Sequence, residues 1–367
     1  MPKKFSRTKA WLSASIVFTV LAAATACGGD SGPTQTGEAL VLDGEEIASA
    51  ELIDAARAEG KMTIYSAVSE EPEMALLKAF TEAVGIETEL VRVPTNRMME
   101  RVQTEFGANR IAADVLRMPD ISFIRVLADD GVFRPYRVAA WDKIAEQYKN
   151  PDGLYYSWTL GPTAFGVNTA VVPEGARPKS YQDLLKPDLS GKIGFTGMDV
   201  GTTPWVIAMY QRTAYGESYW QSLAAQKPVL APGNAQVADQ LGRGEFGVGI
   251  TRPNVILAQK DQGAPVELVW PSDGVPMFPF YLGVVKTSPH PKAAEVFMNW
   301  SMSKHGQKAA GSQTGEYPVR TDVDPPQMLG TTFPKLTDLK VYNADEKTWV
   351  DNREAWTADW NRILGVG

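Results

Sequence analysis

Four residues at the end of a short apolar stretch, Thr251-Arg252-Pro253-Asn254, are the first candidates for chemistry. The preceding residues, Phe246 to Ile250, read as a buried strand. Pro253 has no N–H for a ladder bond, so a central strand stops there. A guanidinium at such a tip can grip a carboxylate or phosphoryl group through two parallel hydrogen bonds. Thr202 and Thr203 precede Pro204 and an apolar helical stretch. Thr203 as cap and Pro204 at the first helical position predict a helix start, whose free N–H groups and positive dipole end suit an anion. Trp205 follows directly. Arg97 opens another helix, where a cation is mildly unfavourable, and local conflicts of this kind mark functional sites. Arg117 ends the short strand "ADVLRM". With the polar strand ends Ser66, Ser69, Thr95 and Asn96, the candidate substrate-binding set is Ser66, Ser69, Thr95, Asn96, Arg97, Arg117, Thr202, Thr203, Trp205, Thr251, Arg252 and Asn254. Four of them have a structural alternative. Arg252 can pair with Asp273 or Glu245, Asn254 can cap the next helix, Arg97 can face solvent, and Trp205 can be core.

Other chemistries find little support. The chain has two histidines, His290 in the turn "SPHP" and His305 near a helix end, and both read as surface residues. No Asp, Glu and His cluster has metal-ligand spacing, so no metal and no cofactor are expected. There is no G-x-S-x-G elbow, no Walker loop and no G-x-G-x-x-G after a strand. "LGRGEFG" precedes a strand and reads as a turn. An enzyme is therefore not expected. A net charge of −7 argues against nucleic acid as a partner.

The elements that must position these residues alternate. Glu51 to Glu59 reads as a helix, "KMTIYSA" as a strand, and a helix capped by Ser69 carries Met74, Leu77, Phe80 and Val84 at helical spacing. "IETELVRV" is a second strand, residues 96–106 a second amphipathic helix, "ADVLRM" a third strand, and residues 120–130 a third helix. This β-α-β-α-β-α order predicts a largely parallel sheet with helices on both faces. In such sheets ligands bind outside the carboxyl ends of the strands. A second unit follows, with strands "GKIGFTG", "FGVGI" and "VELVW". At 367 residues, with 44 % apolar and 22 % charged residues, the chain suits two soluble domains.

The first 26 residues stand apart. Lys3, Lys4, Arg7 and Lys9 form a basic head, and the 16 residues from Trp11 to Ala26 carry no charge and are too few for a comfortable membrane span. "LAAATAC" then gives a small-residue exit, so residues 1–26 read as a secretory signal. The segment resembles the bacterial lipoprotein signal, in which the cysteine is acylated. That implies lipid attachment at Cys27, the single cysteine of the chain. Residues 27–39 read as a flexible tether. Removing residues 1–26 takes away four basic side chains and no acidic one, which carries the net charge from −7 to −11.

"GKMTIYSAVSEE", "GIETELVRVPTNRMMERVQTE", "ADVLRMPD", "GVFRPY", "TAFGVNTAVVPEGARPKSYQDLLKPDLSGKIGF", "GEFGVGI" and "VVKTSPHPKAAEVFMNWSMSKHGQ" resemble, in order, the extracellular solute-binding proteins of ABC importers, in the ferric-ion-binding branch. The resemblance implies an α/β fold, the two-lobed type II periplasmic-binding fold, with a mixed sheet flanked by helices in each lobe and the ligand cleft between. It places the first lobe at residues 40–162 plus 282–325 and the second at 163–281 plus 326–367. "TLGPTAFGVN" and "FPFYLGVVK" are the expected crossings. It implies a lipid-anchored monomer outside the cytoplasmic membrane, with a small, anionic solute and an ABC permease as partners, no nucleic acid, and membrane contact through the anchor only. Iron-binding members carry two adjacent tyrosines where this chain reads Thr251-Arg252-Pro253-Asn254. A guanidinium cannot ligate a metal, so a phosphonate, sugar phosphate or carboxylate is expected. Ferric iron or its chelate, and a purely structural cell-surface lipoprotein, are the alternatives.

Overall fold

A computed structural model describes residues 37–366; Cys27 and residues 1–26, read from the sequence as a signal, lie outside them. The chain enters through a hairpin, β1 (Leu40–Leu42) and β2 (Glu45–Ala48). Helix α1 (Ala50–Glu59) begins where the Ser49 side chain accepts from the Leu52 N–H. Strand β3 (Lys61–Ser66) is buried along nearly its whole length, as a strand covered on both faces must be. Helix α2 (Glu70–Val84) ends at Gly85 in the left-handed region. Its buried face is Leu76, Leu77, Phe80 and Val84 together with Glu73. Met74, which the helical spacing put on that face, is 55 % exposed. Then come β4 (Glu87–Arg92), α3 (Thr95–Gly107), β5 (Val115–Met118) and α4 (Ile121–Asp129), the last capped by Asp120 on the Ser122 N–H.

Strand β6 (Tyr156–Pro162) passes through Thr163 into β7 (Ala164–Asn168), which belongs to a different sheet, so the first crossing falls where the sequence placed it. The second unit continues with β8 (Ile193–Thr196), α5 (Thr202–Tyr215), α6 (Glu217–Ala225), β9 (Val229–Ala231), α7 (Asn234–Gly242), β10 (Val248–Thr251), α8 (Pro253–Asp261) and β11 (Val266–Val269). Strand β12 (Val275–Val284) returns, followed by α9 (Pro291–Met302), α10 (Lys304–Thr314), β13 (Tyr317–Pro318), the hairpin β14 (Gln327–Met328) and β15 (Thr331–Thr332), β16 (Val341–Asn343), α11 (Glu346–Asp351) and α12 (Arg353–Leu364).

The first sheet has seven strands in the order β13-β6-β12-β5-β3-β4, with β16 also on β12; the second has five, β11-β7-β10-β8-β9. The parallel set β4-β3-β5 is matched by β9-β8-β10. In each sheet the strand next to that set, β12 or β7, runs antiparallel. These two strands are the ones that arrive from the opposite lobe, which is why their direction is reversed. Both lobes thus share one topology, that of the type II periplasmic-binding fold.

The return crossing differs from the sequence reading. β12 already pairs with β6 at Met277 and with β5 at Tyr281, so the chain re-enters the first lobe by Val275 and not at Leu282. The last residues are also not all second lobe. β16 pairs with β12, β14 lies on α10 and α11 on α4, while α12 packs on α6. An aromatic cluster of Phe80, Trp158, Phe297 and Trp300, with centroids 5.1–6.2 Å apart, centres one core of the first lobe. Edge-on arrangements dominate it, as the ring quadrupoles prefer.

Candidate functional site

The carboxyl edge of the second sheet gathers three helix starts. β8 leads through Gly201 into α5, and α7 and α8 begin at Asn234 and Pro253, just beyond β9 and β10. The cap position of α5 is Gly201 and not Thr203: its φ of 153° suits a residue without a Cβ, and Thr202 already starts the helix. Nor does Asn254 cap α8. Arg252 takes that position in extended conformation, and Pro253 fills the first turn where no N–H is needed. Side chains tie the three starts together. The Thr251 hydroxyl donates to Asn234 Oδ1 at 3.1 Å, and Asn234 Nδ2 donates to Thr203 Oγ1 at 3.2 Å. Thr202, Thr203, Thr251, Arg252 and Asn254 are all buried. Three of their polar atoms, Thr202 Oγ1, Arg252 Nε and Asn254 Oδ1, have no partner among the described residues. A buried polar atom without a partner is destabilising unless a ligand or water answers it. N–H groups and dipole ends from three helices converge on one edge, which favours negative charge there.

Arg252 crosses the lobe boundary. Its Nη2 donates to Glu316 Oε1 at 2.9 Å, and its guanidinium lies 5.1 Å from the centre of the Phe280 ring. The partner is Glu316, not Asp273 or Glu245. Asp273 accepts from the Tyr215 hydroxyl at 2.6 Å, and Glu245 pairs with Arg243. Glu316 follows Gly315, whose left-handed φ of 66° ends α10 and turns the chain into the first sheet.

Arg117 stands behind Glu316. It is fully buried, so it does not itself present to the cleft. Its Nη2 donates to Glu316 Oε2 at 2.6 Å and its Nη1 to Glu73, while Thr159 Oγ1 also donates to Glu316 Oε2. Trp158 and Phe280 lie 4.5 and 5.0 Å from the guanidinium. Ser66 is buried on the neighbouring strand, where its Oγ accepts from the Val68 N–H at 3.2 Å. Burial pushes the Glu73 carboxyl up, against the pull of the Arg117 guanidinium. Glu73 and Glu316 were missed by sequence reasoning. Glu73 left one signal, a charge on the apolar stripe of α2; Glu316 left none.

The remaining first-lobe candidates lie at the starts of α2 and α3. Ser69 is exposed at the start of α2 and makes no side-chain cap bond. Thr95, Asn96 and Arg97 open α3, and Arg97 is exposed with Glu100 at 3.6 Å. Trp205 is core: it has no exposure and packs against Trp349, Trp356 and the Arg353 guanidinium. The end of β5 carries Asp120, another residue missed from the sequence. Its carboxylate accepts from Trp349 Nε1 at 3.3 Å and from Arg353 Nη1 at 2.6 Å, so the C-terminal segment spans from α4 to the second lobe. A cavity of about 340 Å³ opens beside it, walled by Ile121, Leu160, Met277, Pro279, Tyr281 and Trp349. His290 is not a simple surface residue, since its Nδ1 lies 3.0 Å from buried Asp114. Among the described residues no group of three His, Cys, Asp or Glu could hold a metal ion.

Residues 112–346 match the family of bacterial extracellular solute-binding proteins. The chain belongs to this family. Iron uptake protein A1 of a Synechocystis strain is 23 % identical over 343 residues, covering 88 % of this chain and 89 % of the relative. The fold is shared with the periplasmic binding protein AfuA of Actinobacillus pleuropneumoniae, solved with fructose-6-phosphate bound, at a TM-score of 0.69 and 23 % identity over 84 % of this chain and 99 % of that one. It is shared equally with iron-bound HitA of Pseudomonas aeruginosa, at 0.67 and 20 % identity over 83 % and 99 %. Proteins of one fold were thus solved with different bound ligands, and the solute of this chain has to be argued from its own residues. The family is one of binding proteins for transport.

Proposed function

We propose that the chain is the extracytoplasmic substrate-binding protein of an ABC importer that captures a small solute bearing an oxyanion, such as a phosphonate, a sugar phosphate or a carboxylate. It closes its lobes on the solute and hands it to the membrane permease. It acts as a monomer, held to the outer face of the cytoplasmic membrane by a lipid on Cys27. The observation that carries the anion reading is the convergence of three helix starts, bonded through Thr203, Asn234 and Thr251, on the edge where Arg252 stands. A helix start offers N–H groups already aimed outward, so the site needs little reorganisation to receive an anion. Arg252 adds a charge-assisted contact.

Calorimetric titration of the purified protein with fructose 6-phosphate, methylphosphonate, citrate and ferric citrate tests this. We expect at least one phosphorus or carboxylate oxyanion to bind. Arg252→Ala should then weaken it by about 2–4 kcal/mol, roughly thirty- to a thousand-fold. Arg252→Lys should recover only part, since an ammonium lacks the planar fork. Strong visible absorption with one iron per chain, unaffected by Arg252→Ala, would replace this reading with ferric binding.

A further inference from the structure

The Arg252–Glu316 pair bears on the charge of the solute, an argument that rests on the reading that Arg252 meets it. The side chains of Arg252 and Glu316 are 9 % and 0 % exposed. The two oxygens of Glu316 have separate duties. Oε2 accepts from Arg117 and Thr159, both in its own lobe. Oε1 accepts from Arg252, in the other lobe. Glu316 is thus fixed by the first lobe whether or not the second lobe is close. Its charge is offered to Arg252 from the opposite lobe. Arg252 keeps a buried Nε without a partner, so one part of the fork answers Glu316 while another remains for a ligand. Among the described residues, Arg117 and Arg252 are the only cations paired with Glu316, and Arg117 is already shared with Glu73.

We propose that Glu316 sets the charge class of the solute: by neutralising Arg252 across the lobe boundary, it makes the closed cleft accept an oxyanion with one negative charge and discriminate against dianions. The first charge on the solute is met by the remaining Arg252 donor and the helix starts. A second charge meets Glu316 across a single guanidinium, in a region that excludes water and screens poorly. The discrimination is therefore built from a repulsive element placed beside the attractive one.

The test uses inorganic phosphate, which passes from one charge to two between about pH 5.5 and pH 8, as phosphate monoesters do. Dimethyl phosphate, singly charged throughout, is the control. Calorimetry on the full-length protein without its signal should show phosphate binding weakening by about tenfold or more from pH 5.5 to pH 8, with dimethyl phosphate unchanged. Glu316→Gln should abolish that weakening, and phosphate at pH 8 should bind about tenfold tighter than in the unmodified protein. Glu316→Asp, which keeps the charge, should keep the weakening. The proposal falls if phosphate affinity in the unmodified protein is flat across this range, a result that needs no variant to fold. It falls too if Glu316→Gln leaves the weakening in place. Arg252→Ala separates the two readings. If it removes binding of both probes while Glu316→Gln changes nothing, the role of Glu316 alone is wrong. If it changes neither probe, Arg252 does not meet the solute and both readings fail.

Discussion

Arg117 has no access to water and two carboxylates on its guanidinium, so its removal should be felt by the fold before it is felt by any ligand. Arg117→Ala leaves Glu73 buried with no cation and Glu316 with only Arg252. Breaking a buried pair in this way costs about 3–5 kcal/mol. Urea unfolding should show that loss, and a change under about 1 kcal/mol would mean that the carboxylates take up protons with little penalty. Arg252→Ala should cost much less, because Glu316 keeps Arg117 and Thr159. The contrast between these two arginines was not readable from the sequence. Both stand at strand tips, and strand-tip position was the only signal available. What separates them is the second carboxylate, Glu73 of α2, which only Arg117 meets, and the residues that Arg117 contacts, Glu73 and Glu316, are 44 and 199 residues away along the chain. Glu316 could not be found for the same reason. The placement of Thr202, Thr203, Thr251 and Arg252 at strand and helix ends could be read, because proline and threonine at the ends of apolar runs are local signals.

The helix and strand order of the first lobe was legible up to Gly131, because apolar strand runs and apolar spacing of 3.6 residues alternate cleanly there. The return crossing was not. In "GVPMFPFYLGVV" the residues are apolar throughout, so nothing local distinguishes a strand of the first sheet from the end of the second lobe. Pro279 sits inside β12, opposite Leu160, next to a register shift between Phe280 and Tyr281. The segment after β13 is held by a separate ionic knot. Arg320, buried, donates to Glu45 of β2, to Asp322 and to the Met302 carbonyl. Arg320 holds the Asp322 carboxyl down at about 2, below its ordinary 3.8. A carboxyl depressed in the folded state contributes stability above its unfolded pKa and loses it as pH falls through the folded one. Thermal stability should therefore decline between about pH 4 and pH 2, and Asp322→Asn should flatten that limb while lowering stability at neutral pH. An identical acid limb in the variant would remove Asp322 from the account.

At the scale of the molecule, two lobes of one topology meet through strand crossings and through the C-terminal helices. Glu346 of α11 pairs with Arg125 of α4, and Arg353 of α12 reaches Asp120 at the end of β5. On the other side, Trp360 packs on Phe195, and Asp359 and Arg362 approach Arg212 and Glu217. This second bridge should hold the lobes closer together than the crossings alone would. Arg353→Ala combined with Arg125→Ala should raise the solute-free radius of gyration in X-ray scattering, and added oxyanion should reverse the rise. An unchanged radius would assign these pairs to local packing. Within the bridge, Trp349 donates its indole N–H to Asp120 of one lobe while its ring stands 6.3 Å from Trp205 of the other. An indole in that position changes surroundings whenever the lobes part, since the ring leaves Trp205 and meets water while its N–H stays with Asp120. Emission from the native protein should therefore move to longer wavelength as the cleft opens and back as it fills, and Trp349→Phe should remove most of that movement. The chain thus carries an optical gauge of its own lobe angle, readable without a label and at concentrations far below those that scattering needs.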